Sequence, residues 1–98
     1  MFNISIRPLA RQDMLDIWQY TYDTWGTSQA DSYIKDMSVS FEMLAESPLL
    51  GREAGYIQVG IRLHPYKHHI ILYQFTENKL DIVRVLHERM DISRHKLT

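Results

Sequence analysis

At 98 residues, with 11 Lys and Arg against 12 Asp and Glu and no cysteine, the chain has the length of one domain. Such a domain buries roughly 60–70% of its unfolded surface without covalent help. The missing cysteines exclude a disulfide framework and thiolate metal sites and fit a reducing cytosol, while the near balance of charge argues against strong direct binding to nucleic acid.

"FNISIR" alternates Phe2, Ile4 and Ile6 with polar residues, the period-two pattern of a strand with one buried face. Pro8 ends it, because proline has no N–H for a ladder. Ala10, Met14, Ile17, Trp18, Thr21 and Trp25 then recur at three- and four-residue steps, a helical stripe expected to pack in the core together with Tyr33. Gly26 is expected to close that helix in a left-handed cap. Ser28 and Asp31 have capping-box spacing for a second helix, whose apolar face runs through Ala30, Tyr33, Ile34, Met37, Phe41, Leu44 and Ala45. The short connection predicts an antiparallel helix hairpin.

"ESPLLGREAG" reads as a loop. Ile57, Val59, Ile61 and Leu63 then alternate with Gly60, Arg62 and His64, which predicts a strand. "PYK" is the turn, "HHIILYQF" a strand apolar on both faces, "TENK" another turn, and "DIVRVLH" the last strand. The expected architecture is α+β: an N-terminal strand, an antiparallel two-helix hairpin, then a three-stranded antiparallel meander. Two helices cover one face of such a sheet, so the second apolar face is either a protein-binding or dimer surface or is covered by loop 47–56 and the C-terminal tail.

No apolar run reaches the roughly 18 residues of a membrane span, and the start of the chain is too polar for a leader, so a soluble, intracellular protein is expected. The C-terminal third is mildly basic and would suit an acidic partner. His64, His68 and His69 bracket a turn, but two loosely placed ligands without a third do not make a metal site. No serine sits on a glycine-flanked elbow and no glycine-rich phosphate loop is present. The enzyme chemistry these residues do allow is RNA cleavage by the 2′-hydroxyl, which needs a base, an acid and cations around the phosphate. Arg62, Lys67, Arg84, His87, Arg89 and His95 include such groups, although no spacing forces them together.

The stretches "DIWQYTYDTWGTSQADSYI", "LAESPLLGRE", "GIRLHPYKHHIILYQF" and "IVRVLHERMD" together resemble the ParE toxins of bacterial type II toxin–antitoxin modules, within the RelE/ParE superfamily. The resemblance implies a bacterial cytoplasmic toxin without a cofactor, neutralised by an antitoxin whose flexible C-terminal segment folds onto it. It also implies DNA gyrase as the target, since the ParE branch poisons that enzyme. The RelE branch instead cleaves messenger RNA on the ribosome, with basic residues along the second and third strands. Here Ile70 stands where one of those arginines is needed, and only Arg62, Arg89 and His95 remain as catalytic candidates. A non-enzymatic, ParE-like toxin is therefore expected, the alternatives being a RelE-like mRNA interferase or a toxin-fold protein that only binds an antitoxin, with Arg62, Tyr73, Arg84, His87, Arg89, Met90 and Asp91 as candidate contacts to target or antitoxin.

Overall fold

Period-two and period-3.6 patterns become a layered domain in the computed structural model, which describes residues 3–97. The elements are β1 (Asn3–Ile6), α1 (Pro8–Trp25), α2 (Thr27–Glu46), β2 (Arg52–Glu53), β3 (Arg62–Tyr66), β4 (His69–Phe75) and β5 (Lys79–His87), followed by a 3-10 turn at Ile92–Arg94. Phe2, assigned above to the first strand, lies outside the described residues.

The five strands form one sheet in the order β1-β5-β4-β3-β2. β3, β4 and β5 make the expected antiparallel meander, and β1 joins its far edge parallel to β5, with Ile4 opposite Leu80 and Ile6 opposite Ile82. A parallel partner needs a crossover. The helix hairpin and the first hairpin of the sheet supply it.

The helices are joined more tightly than the spacing suggests. Gly26 alone separates them, its N–H bonding to the Tyr22 carbonyl while its own carbonyl accepts from Ala30. Its φ of 92° and ψ of 177° fall outside the left-handed helical region, in a corner of backbone space open essentially to glycine alone. The expected capping box is absent: α2 starts at Thr27 without a side-chain cap. Asp31 instead accepts the Trp18 indole N–H at 2.9 Å, which ties the two helices together near their junction.

One core lies between the helices and the sheet, where Ala10 of α1 and Met37, Phe41 and Leu44 of α2 meet Ile71, Tyr73, Leu80, Ile82 and Val85. Trp25, expected in that layer, is 70% exposed. The last turn of α1 runs past the end of the packed stripe, which stops at Ile17 and Thr21. Trp18 is only half-buried and stacks on Tyr22 at 5.1 Å.

A second core occupies the other face of the sheet. Leu63, Leu72, Val83 and Leu86 are buried there beneath Ala54, Ile57 and Ile61 of the loop after β2 and beneath Ile92 and Leu97 of the tail. The two-sided apolar strands are thus inner strands under a loop and a tail, not an open face. The alternation at 57–61 does not mark a strand: Gly60 turns at a φ of 91°, β3 begins only at Arg62, and Val59 is 88% exposed. Ile57 and Ile61 fold inward because the sheet face needs covering, which a loop does as well as a strand.

Two arginines hold the tail down. Arg7 pairs with Asp81 at 2.8 Å and donates to the Leu97 carbonyl at 2.9 Å. Arg84 pairs with Asp13 and donates to the Lys96 carbonyl at 2.6 Å.

Candidate functional site

β1 accompanies β5 only as far as Ile82, because Pro8 then starts α1 and leads the chain off the sheet. The rest of β5 is therefore an open edge, and an unpaired edge is a template for other chains. One carboxylate closes part of it: Asp13 of α1 accepts the Val85 N–H at 3.0 Å while both its oxygens accept from Arg84 at 2.7 Å. What remains between α1, the β5 edge and the β3–β4 turn is a groove of about 1010 Å³.

Its lining comes from both helices, the β3–β4 turn and strands β4 and β5. α1 contributes Asp13, Asp16, Ile17 and Tyr20, with Trp25 at the end; α2 contributes Gln29 and Tyr33; the β3–β4 turn contributes Lys67 and His68; the floor holds His69, Val85 and His87, and Met90 stands at the exit. Tyr20 and Trp25 are 71% and 70% exposed. Large aromatic side chains held in the open around a concavity are the residues that most often anchor a protein partner.

The floor is a stack of rings. His69 meets His87 edge-on at 5.3 Å and Tyr33 at 5.7 Å, and the Tyr33 hydroxyl lies 2.8 Å from His69 Nδ1. Burial, helped by the neighbouring imidazoles of His87 and His68, lowers the His69 pKa to about 4. Burial likewise raises that of Tyr33, with Tyr66 adding to it. At neutral pH the phenol therefore keeps its proton and shares a hydrogen bond with an uncharged imidazole. Lys67, at a φ of 52° in the turn, lays its ammonium 5.0 Å from the Tyr33 ring and 3.8 Å from Asp36. Such a surface is aromatic and weakly charged, suited to an amphipathic segment.

Only part of the predicted set reaches this groove. His87 and Met90 line it, and Arg84 acts behind it through Asp13. Tyr73 is fully buried and has no surface to offer a partner. Its hydroxyl donates to the Pro48 carbonyl at 2.7 Å and accepts the Gly51 N–H at 2.8 Å, while Arg62 Nε donates to the Gly51 carbonyl at 2.9 Å. The P-x-x-G-R stretch is thus a clamp on the loop entering β2. Gly51 is required in it, since a Cβ there would stand 2.5 Å from the Tyr73 hydroxyl oxygen. Asp91 caps the 3-10 turn through the Ser93 N–H at 3.1 Å, and Arg89 is exposed beyond β5.

Of the wider ribonuclease set Lys67 and His87 share the groove, but the three residues left as RelE-type catalytic candidates are not brought together. Arg62 aligns through Tyr73 with Ile82, and Arg89 follows the far end of the same strand, which puts them roughly 15 Å apart along the sheet. His95 is in the tail across the second face, its Nδ1 2.9 Å from the Asp91 carbonyl oxygen. His64 and His69 do not face each other either, being opposite Ile71 and Tyr66 respectively. Among the described residues no three His, Cys, Asp or Glu side chains cluster to hold a metal ion, and no helix is long and apolar enough to cross a membrane.

Tyr20, Trp25, Tyr33 and His69 lie within the family-like stretches, but no spacing among them marks a groove. The one available signal was that Trp25 continues the α1 stripe beyond the length a short sheet can cover.

Comparison with known proteins places this geometry in a family. Residues 4–92 match the model of the ParE toxin of the type II toxin–antitoxin system, parDE. The chain is 36% identical over 91 residues to Toxin ParE1 of Mycobacterium tuberculosis, covering 92% of this chain and 93% of that one. It is 33% identical over 86 residues to Toxin ParE1 of Caulobacter vibrioides, covering 88% of each. A chain in a solved structure of the chromosomal ParDE TA system from P. aeruginosa superposes with a TM-score of 0.76 at 15% identity, covering 89% of this chain and 96% of that one. The chain is a member of the ParE toxin family of type II toxin–antitoxin systems.

Proposed function

We propose that this toxin arrests bacterial growth by binding and poisoning DNA gyrase, without a bond-breaking reaction of its own, and that its antitoxin neutralises it by laying an amphipathic C-terminal segment into the groove along α1. The observation that carries the binding mode is the dispersal of Arg62, Arg89 and His95. Arg62 is held on the Gly51 and Leu49 carbonyls, so the three RelE-type candidates do not converge and Arg62 is already engaged. The groove supports the antitoxin reading through its size, its exposed aromatic rim and its open strand edge. A disordered segment that folds on binding suits such a surface. Its action is placed by the same proposal in the bacterial cytoplasm, and nothing in the charge balance of the chain favours a ribosomal RNA surface.

The test is supercoiling of relaxed plasmid by purified gyrase in the presence of the folded protein. Inhibition is expected at micromolar or lower concentration, and the antitoxin is expected to relieve it. Full supercoiling activity, together with loss of messenger RNA in cells that disappears with His95→Ala, would replace this reading with ribosome-dependent RNA cleavage.

A further inference from the structure

A second concavity of about 460 Å³ lies on the face of the sheet opposite the groove. Tyr56 and Ile57 of the loop after β2 form one side, and Ile92, His95 and Leu97 of the tail form the other. Ile57, Ile92 and Leu97 pack inward and close the second core. Tyr56 does not: it is 77% exposed, and Val59 three positions on is 88% exposed. Covering the sheet accounts for the inward residues and leaves these outward ones without a structural task.

The charge around them is basic in excess, with Asp91 of the lining offsetting Arg94 at 3.5 Å. Arg89, Arg94 and Lys96 are exposed and alternate with residues that line the concavity, and Arg52 is exposed on β2. The nearby carboxylates are engaged: Asp91 accepts the Ser93 N–H and hydroxyl and lies 3.5 Å from Arg94, while Glu88 faces His68 at 3.8 Å. An apolar and aromatic centre with a cationic rim is the anatomy of a protein interface for an acidic partner. Nucleic acid fits it less well, because phosphate binding would call for a larger basic surplus and gains nothing from Val59.

We propose that this face is the toxin's target-docking surface, and that it seats an acidic protein surface carrying an apolar anchor, leaving the groove to the antitoxin. The proposal rests on the reading of the chain as a toxin that acts by binding. Met90 borders both concavities, so the two surfaces meet along one ridge, and a partner filling the groove stands at the edge of the other face.

The experiment compares the wild-type chain, a Tyr56→Ser/Arg89→Glu double variant and a Lys35→Glu control that makes the same charge reversal on the outer side of α2. In the gyrase supercoiling assay the double variant is expected to need at least about tenfold more protein than the wild type, with the control unchanged and antitoxin binding retained. Equal potency of the double variant and the wild type would overturn the proposal. Should the wild type leave gyrase untouched, the gyrase reading fails, and the same three proteins are compared by growth arrest on induction. Arrest lost in the double variant alone supports the surface; arrest kept by all three overturns it, and a wild type that arrests nothing overturns both. Light scattering that finds a wild-type dimer made monomeric by the double substitution would assign the face to self-association. Loss of single-stranded RNA binding in the double variant would assign it to nucleic acid.

Discussion

Arg84 grips both oxygens of Asp13 at 2.7 Å, across 71 positions of sequence, and the same carboxylate accepts the Val85 N–H. The guanidinium also reaches the Lys96 carbonyl. One side chain thus joins the helix layer, the open edge of β5 and the tail. Asp13 raises the Arg84 pKa further by hydrogen bonding, so the cation stays charged at any pH the fold survives. Both side chains are nearly buried, and removing one strands the other. Arg84→Ala or Asp13→Ala is expected to cost about 3 kcal/mol, and the double variant less than the sum of the two. Urea denaturation of the three variants measures this; additive losses would show that the pair is not coupled.

The loop clamp predicts a steric effect and a polar one. Gly51→Ala pushes a methyl group against the Tyr73 hydroxyl and the Leu63 carbonyl, and is expected to destabilise by about 1–3 kcal/mol. Tyr73→Phe leaves the Pro48 carbonyl and the Gly51 N–H without their partner, at about 1–3 kcal/mol. Thermal unfolding gives both values. In the Tyr73→Phe background the cost of Gly51→Ala should shrink, because the hydroxyl it strikes is gone.

Stability should depend on pH through His69. Its folded pKa is lowered to about 4 from an ordinary 6.5, so the unfolded chain takes up the proton first as pH falls. The stability tied to the neutral ring is complete above about pH 6.5, declines between 6.5 and 4, and levels off below 4. His64, lowered by burial as well, acts in the same direction. The urea midpoint at pH 5 should lie below that at pH 7, and His69→Gln should flatten the difference. An unchanged slope in that variant would transfer the effect to other groups.

At the groove rim, Trp25→Ala and Tyr20→Ala should separate stability from binding. Both side chains are more than two-thirds exposed, so the fold should change by less than about 0.5 kcal/mol. Rescue of growth by co-produced antitoxin should weaken, with affinity down by about tenfold or more. Titration calorimetry with the purified antitoxin checks it, and undiminished affinity would move the antitoxin off this rim.

Periodicity carried most of the architecture. The α2 stripe from Ala30 to Ala45 and the strands 69–75 and 80–86 stand out because their apolar residues repeat with the period of the element that buries them. Segment 57–61 repeats with a strand's period as well, yet it is a loop, because inward residues two to four apart are what any chain needs when it crosses a sheet face. Local spacing also suggested that Asp31 caps α2, but the Trp18 indole, thirteen positions away, takes that carboxylate instead.

The candidate site was less legible because its residues answer to distant partners. "DIVRVLHERMD" looked like a compact group of functional side chains. The fold distributes it: Arg84 goes to Asp13, His87 to the groove floor, Met90 to the ridge, and Asp91 to a cap. Nothing in the spacing of Tyr20, Trp25 and Tyr33 announces a groove, since its other wall is built from strands some forty to sixty residues later in the chain.

The staple between Arg7 and Leu97 has a consequence for how the toxin is made. β1 has no strand to pair with until β5 exists, and the second core stays open until Ile92 and Leu97 arrive. Contacts this distant in sequence form late. The groove needs the chain as far as Met90, and the second face needs it as far as Leu97. A chain cut before Ile92 is therefore expected to leave Leu63, Leu72 and Val83 uncovered, and to be a substrate for proteolysis rather than a folded domain.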